Sequence, residues 1–445
     1  MPNKPFRIRG TISFLILMCI MGQKTNAQQI VEKEFNSFDE LKKSFYSPSQ
    51  HFGSAPLWVW NTNIDSVEIS SMLRQFKSNA FGGVFIHPRA GLITPYLSEK
   101  WLDLYKFTVE EAKKIGLDVW IYDENSYPSG FAGGLVPDQM PSSYNQGEML
   151  EYSRADSLPV NANSFYIILK KRNGGFSNIT GKLSMEKNKR GEYIFFKKIV
   201  YYKSPWYGGF SYVDLMTKNV TEKFIELTML PYEKTIGNEF GNTVRGVFSD
   251  EPNIEVQYPK SIRWTPDLFS AFKEKWGYDL EPQLVSLVEE TGEWKKVRHN
   301  YYQTLLQLFI DRWSKPYSAY TSKKNLEWTG HYWEHEWPSP NHGPDNMAMY
   351  AWPQRPGIDM LFNQFDENNV NGQFGNIRSV KELSSVANQL NKKRTLSETY
   401  GGAGWELSFN DMKRLGDWEF ALGINTLNQH LSFMSLAGAR KYDWG

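Results

Sequence analysis

From residue 55 onward the chain alternates short apolar runs with segments of helical period, and that beat leaves few folds open. Leu57, Trp58, Val59 and Trp60 form a first run of β-formers. Behind it, Asp65 and Glu68 make a capping-box-like start for Ile69, Met72, Leu73 and Phe76, which recur at helical spacing. Residues 83–86 are the next run, closed by His87-Pro88-Arg89. Ser98 then opens a helix with Trp101, Leu104, Tyr105, Val109, Ala112 and Ile115 on one face, stopped by Gly116. A third run, 118–122, ends in Asp123-Glu124-Asn125.

The beat breaks at 135–216, where β-rich runs at 165–169 and 193–202 and the turn signal Gly174-Gly175 predict an inserted β-rich subdomain. It resumes with a helix near 220–236, a strand from Val244, helices over 267–276 and 301–317, and strands at 326–331 and 358–361. Ser379 and Glu382 box a helix carrying Val380, Leu383, Val386, Ala387 and Leu390; a strand leads into Glu398, a helix passes through Met412, Leu415 and Leu422, and 424–427 is an eighth strand. Eight strands with intervening helices predict an α/β chain folded as a (β/α)₈ TIM barrel with its insertion after strand three.

The expected division is a signal peptide at 1–27, a lead-in at 28–54 with a helical piece near 38–45, barrel at 55–134, the insertion at 135–216 and the rest of the barrel at 217–445. The chain stops soon after strand eight without a closing helix, so the protein is expected to continue beyond Gly445. Lys4, Arg7 and Arg9, an apolar run at 11–21 and Thr25-Asn26-Ala27 have the order of an export signal, and the run is short for a membrane span. The lone cysteine, Cys19, lies inside that run, so the mature chain needs no disulfide. Without Lys4, Arg7, Arg9 and Lys24 the 50 basic residues become 46 against 49 acidic, which leaves no basic field for nucleic acid. The expected product is a soluble protein in the periplasm or outside the cell.

In such a barrel, chemistry gathers at the carboxyl ends of the strands. Val244-Arg-Gly-Val-Phe-Ser-Asp-Glu-Pro252 reads as a buried strand delivering Asp250 and Glu251 into a loop, because Pro252 cannot extend a ladder. Arg394-Thr-Leu-Ser-Glu-Thr-Tyr-Gly-Gly402 places Glu398 at the mouth of another. The remaining strand ends carry His87, Arg89, Asp123, Glu124, Glu334, Glu336, Asp359 and His430. Paired carboxyls are what glycosidic hydrolysis uses, one protonated to release the leaving group and one ionised to attack or to activate water. Glu251 and Glu398 are the expected catalytic pair. His87, Arg89, Asp123, Glu124, Asp250, Glu334, Glu336, Trp405 and His430 are the expected substrate contacts, in a chain whose 16 Trp and 24 Tyr offer faces for sugar rings.

Phe81-Gly-Gly-Val-Phe-Ile-His-Pro-Arg89, Val119-Trp-Ile-Tyr-Asp-Glu-Asn-Ser-Tyr-Pro-Ser-Gly130 and Leu396-Ser-Glu-Thr-Tyr-Gly-Gly-Ala-Gly-Trp-Glu406 resemble the calcium-dependent alpha-L-rhamnosidase family, glycoside hydrolase family 106. The resemblance spans most of 55–445, is clearest in those loops and is weak in the insertion. It implies exo-acting hydrolysis of a glycan end in an exported bacterial protein, with Ca²⁺ as a cofactor and a glycan as the partner. It also implies inversion, whereas acids on strands four and seven of the wider clan imply retention.

Two other classes remain open on the residues. A metal-dependent barrel hydrolase would use His87, Asp123, His331, His335 and Asp359, and a glycan-binding barrel would turn nothing over. His331-Tyr-Trp-Glu334-His335 matches the H-x-x-E-H zinc pattern, but that motif needs a helix and this stretch straddles a strand end; no metal ligand is therefore assigned. Gly401-Gly402-Ala403-Gly404 lacks the Lys-Ser/Thr of a phosphate loop.

Overall fold

The structure is a computed structural model that describes residues 35–186, 188–256, 260–334, 341–361 and 370–442. The expected signal at 1–27 lies outside the described residues. Fourteen strands are described: β1 Leu57–Trp60, β2 Gly83–Pro88, β3 Asp118–Tyr122, β4 Met149–Ala155, β5 Ile167–Arg172, β6 Gly175–Asn178, β7 Tyr193–Ile199, β8 Val244–Ser249, β9 Ser261–Arg263, β10 Glu327–Gly330, β11 Gly357–Met360, β12 Leu396–Thr399, β13 Leu427–Gln429 and β14 Ser432–Phe433.

The fold is α/β. Six strands pair in parallel in the order β10-β8-β3-β2-β1-β14, and three more in the order β11-β12-β13. Single backbone bonds join the two sheets at both edges. Arg355 N–H donates to the Trp328 carbonyl at 3.0 Å on one side, and Ala55 N–H donates to Leu427 at 3.1 Å on the other.

Long apolar runs suit parallel strands because both faces of such a sheet are covered. Every residue of β1, β2, β11 and β12 is buried, as that requires. Neighbouring residues divide between two cores. Trp58, Val84 and Ile121 join the large cluster under the helices, whereas Leu57, Phe85, Trp120, Tyr122, Phe248 and Leu396 form a smaller one on the opposite face. Phe85 stacks on Trp120 there, with ring centroids 4.9 Å apart. The Asp65 carboxylate accepts from Val67 and Glu68 N–H, and the Ser98 hydroxyl from Trp101 N–H, which start the first two covering helices, Ser66–Ser78 and Glu99–Ile115.

Three sequence expectations shift. The eighth strand is Leu427–Gln429, continued by β14, and not 424–427. Ser379 is interior to a helix that runs Val370–Gln389, and Glu382 pairs with Arg378 at 2.9 Å on the same helix. The β-rich sheet, ordered β6-β5-β7-β4-β9, takes its edge strand β9 from beyond β8, so residues 135–216 do not make it alone. Among the described residues no helix is long and apolar enough to cross a membrane.

Candidate active site

β8 delivers its acids as the sequence suggests, with a local constraint added. The ladder stops at Ser249, Pro252 has no N–H to extend it, and Glu251 between them is held at φ +32°. A non-glycine residue in that region is strained, and such strain concentrates at functional sites. The Asn253 amide fixes the turn by donating to the Glu251 carbonyl at 2.9 Å. β12 brings Glu398 to the same rim and is followed by Tyr400 at φ +77°. Between them β10 ends at Gly330, φ +127°, where an added Cβ would lie 1.9 Å from the Ser249 carbonyl. Only glycine lets the strands approach this closely, and His331 is thereby set against Asp250.

His331 is the hub. Its Nε2 is 2.9 Å from a Glu398 oxygen and 3.4 Å from an Asp250 oxygen, and its Nδ1 is 3.2 Å from the Tyr332 carbonyl. Oxygen acceptors at both ring nitrogens fit an imidazolium. Burial alone would lower its pKa, but the Glu398 hydrogen bond and the charges of Asp250, Glu398 and Asp359 raise it well above 6.5. Asp250 is held from the other side by the Tyr122 hydroxyl, 2.5 Å from its second oxygen. Asp359 on β11 offers an oxygen within 4.8 Å of donor atoms of His331 and Glu398.

The two expected catalytic carboxyls differ in state. Burial, then the charges of Asp250, Asp359 and Glu398, push Glu251 well above its usual range despite His331. Burial also acts on Glu398, but the His331 hydrogen bond and the positive field of His331 and Arg89 win and hold it below 4.5. Asp250 is pushed up to about 7, chiefly by burial. Burial and like charge thus drive Glu251 toward its neutral form, while His331 favours the ionised form of Glu398.

Other predicted contacts take different places. Asp123 is wholly buried and saturated, accepting from Ser129 and Ser249 hydroxyls at 2.5 Å and from Tyr317 at 2.7 Å; burial pushes it up to about 6. Glu124 is also wholly buried, and its carboxylate accepts backbone N–H groups from Asn125, Gly130, Phe131, Ala132 and Gly133 at 2.6–3.1 Å. Asp123 ties strand ends together and Glu124 staples a loop. Glu334 is equally internal, accepting from Tyr332 N–H and the Tyr350 hydroxyl at 2.9 Å. Glu336 and His335 lie outside the described residues.

His87 lies wholly buried at the end of β2, with no protein partner on its Nδ1 among the described residues. Its ring packs on Tyr122 and its Nε2 accepts from Arg89 at 3.2 Å; burial, then the charges of Arg89 and His430, hold it neutral. His430 is 3.8 Å from Glu398 and is held down to about 3 by burial. Trp405 is 61% exposed on the loop after β12, its ring 6.0 Å from that of Phe433. The sequence offers His331 only as a metal-ligand candidate and gives Tyr122 no role of its own. A histidine next to a strand-ending glycine was the one available signal.

The donors fit calcium poorly. The two groups of three donors that converge among the described residues, Asp250-Glu251-His331 and His331-Asp359-Glu398, both need an imidazole nitrogen, whereas calcium takes oxygen ligands. Of the set expected for a metal hydrolase, His331 and Asp359 converge among the described residues, whereas Asp123 is committed to its three hydroxyls.

An α/β protein with buried carboxyls gathered at the carboxyl ends of its parallel strands is the class that fold and site define. The family model of the alpha-L-rhamnosidases, glycoside hydrolase family 106, matches residues 207–437, and the chain belongs to that family. Glu251 and Glu398 both lie inside the matched segment. The rhamnosidase from Novosphingobium sp. PP1Y has a similar structure, with a TM-score of 0.66 at 16% identity over 89% of this chain and 56% of that one. This chain therefore spans little more than half the length of that relative. An endo-beta-1,4-mannanase from Thermotoga petrophila aligns over 85% of this chain and 68% of that one at 10% identity, but its TM-score of 0.41 carries no argument. No curated protein matches the sequence.

Proposed function

We propose that the chain carries the catalytic site of an exported, exo-acting alpha-L-rhamnosidase whose two parallel sheets work as one (β/α)₈ barrel. The observation that carries this reading is the pair of buried carboxyls at the ends of β8 and β12, one driven neutral and one held ionised, within the segment that matches the family. Glu251 gives its proton to the glycosidic oxygen as the bond to the anomeric carbon breaks. Glu398 attacks that carbon or takes a proton from the water that does. His331 positions Glu398 and keeps it charged, and Asp250 shares the imidazolium. The charged head, apolar run and small-residue site within residues 1–27 support export.

The test uses 4-nitrophenyl alpha-L-rhamnoside with wild type, Glu251→Gln and Glu398→Gln. Each variant is expected to lose about two orders of magnitude or more in kcat. Product stereochemistry, followed by NMR in the first turnovers, then separates direct attack from water activation. Wild type inactive on this and other aryl glycosides, or variants within threefold of wild type, would overturn the reading.

A further inference from the structure

The β-rich insertion reaches the active site at one turn. Residues Pro205–Tyr207 form a short 3₁₀ turn whose first N–H groups are capped by the Ser204 hydroxyl, which accepts from Trp206 N–H at 3.2 Å. Tyr207 packs inward on Phe131, with ring centroids 5.3 Å apart. Trp206, beside it, remains 37% exposed. Its indole N–H donates to the Tyr127 carbonyl, and its ring meets the Tyr127 ring edge-to-face at 5.1 Å and 75°.

Tyr127 belongs to the rim of the site. Its neighbour Ser126 donates N–H to the Pro88 carbonyl at the end of β2, and Ser129 N–H donates to the Asp250 carbonyl at 2.7 Å. The Arg89 guanidinium, bonded to His87, lies over the Tyr127 ring at 5.2 Å from its centroid. A layered path therefore runs from Asp250 and Glu398, through Arg89 and Tyr127, to an exposed indole.

The path is also rigid. Gly208 follows the turn at φ +66°, and a Cβ there would lie 2.5 Å from the Gly133 carbonyl and 2.8 Å from Gly134 Cα. The turn is thus pressed directly on the 130–134 loop, which is the loop that the Glu124 carboxylate staples. Trp206 is thus fixed by the Tyr127 carbonyl and ring while 37% of its surface stays open. It meets the requirement for a preorganised stacking face, whose ordering cost is met on folding and not on binding.

Resting on the hydrolase reading above, we propose that Trp206 and Tyr127 form the subsite for the sugar on the leaving-group side of the scissile bond. A pyranose would stack its C–H face on the indole while its neighbour occupies the carboxyl cluster. The occupant is a sugar ring, because the platform opens beside a site built to cleave the bond that joins two of them.

The test compares two substrates that differ only on the leaving-group side: an alpha-L-rhamnosyl disaccharide and alpha-L-rhamnosyl fluoride, whose leaving group is a single atom. Trp206→Ala is expected to lower kcat/KM for the disaccharide at least about tenfold more than for the fluoride, with Trp206→Phe restoring most of the difference. Equal losses on both would mean that Trp206 only supports the fold, and no loss on either would mean that it touches no sugar; both results overturn the proposal. If wild type cleaves neither substrate, the hydrolase reading fails, and the platform is judged by calorimetry with the disaccharide. Binding weakened about tenfold in Trp206→Ala upholds it, and unchanged or undetectable binding overturns it.

Discussion

Glu251 and Glu398 carry the same functional group and owe their difference to what surrounds them. The proposed mechanism needs Glu398 ionised and Glu251 protonated, so kcat/KM should rise as pH passes upward through the depressed pKa of Glu398 and fall as it passes through the raised one of Glu251. His331→Ala removes the cation that holds Glu398 down, so the acidic limb should move to higher pH along with a loss of rate. An acidic limb that stays in place would show that His331 does not set the charge of Glu398. The same shift has a stability consequence. A carboxyl whose folded pKa is raised stabilises the fold below its unfolded value, and that stability is lost as pH climbs toward the folded value. Glu251→Gln should therefore gain Tm relative to wild type as pH rises above the ordinary carboxylate range, measured by calorimetry, and a difference that does not grow with pH would contradict the assignment. Both residues were legible because a strand-ending acid before proline or a glycine run has a simple local reading. The hydrogen bonds of Asp123 and Glu124 were not legible, because their partners, Ser249, Tyr317 and the N–H groups of residues 130–133, are brought to them only by the folded loop and the neighbouring strands.

Among the loops and elements, the decisive device is the loop that Glu124 holds. Five backbone donors share its two oxygens, and an amide at this position keeps one acceptor and turns an N–H₂ toward N–H groups. Glu124→Gln should cost about 3 kcal/mol or more in urea unfolding, since each buried donor left unpaired costs about 1–3 kcal/mol. A loss below about 1 kcal/mol would mean that the loop is held by other contacts. The order of strands and helices was readable because buried strands and amphipathic helices differ in period. The boundaries that moved did so for local reasons. Ile424 looks like a strand residue, but Gly423 at φ +118° caps the preceding helix, and Ile424 N–H returns to the Glu419 carbonyl at 3.0 Å. That apolar residue closes a helix terminus, which delays the strand to Leu427. Ser379 could imitate an N-cap because the pattern does not show that the helix had begun nine residues earlier, at Val370.

At the scale of the whole molecule, the β-rich sheet shares the large hydrophobic cluster with the parallel strands and is tied internally by a buried ionic node that no single segment discloses. Arg263 on β9 binds Asp214 at 2.6 Å and approaches Glu148 at 3.7 Å, all three at most 3% exposed. The Thr265 hydroxyl donates to the second Asp214 oxygen at 2.6 Å, and Tyr301 on the Trp294–Phe309 helix donates to the Arg263 carbonyl at 2.5 Å. Glu148 enters β4, Asp214 leaves the insertion and Arg263 arrives after β8, so the node fastens the far sheet at entry, exit and edge. Removing one partner of a buried pair costs about 3–5 kcal/mol because the other charge is left without compensation. Arg263→Met should therefore destabilise by about that amount, and Arg263→Met with Asp214→Asn should recover part of it. Hydrogen exchange distinguishes a latch from a general loss of stability. If the node is a latch, amides of β4 and β7 lose protection in Arg263→Met before those of β1, β2 and β3, because the insertion opens while the parallel strands stay paired. Uniform loss across all five strands would instead make the insertion and the parallel sheets a single cooperative unit. In that case, weakening the far sheet should also disturb the carboxyl cluster, and Arg263→Met should lose kcat and not merely its hold on larger substrates.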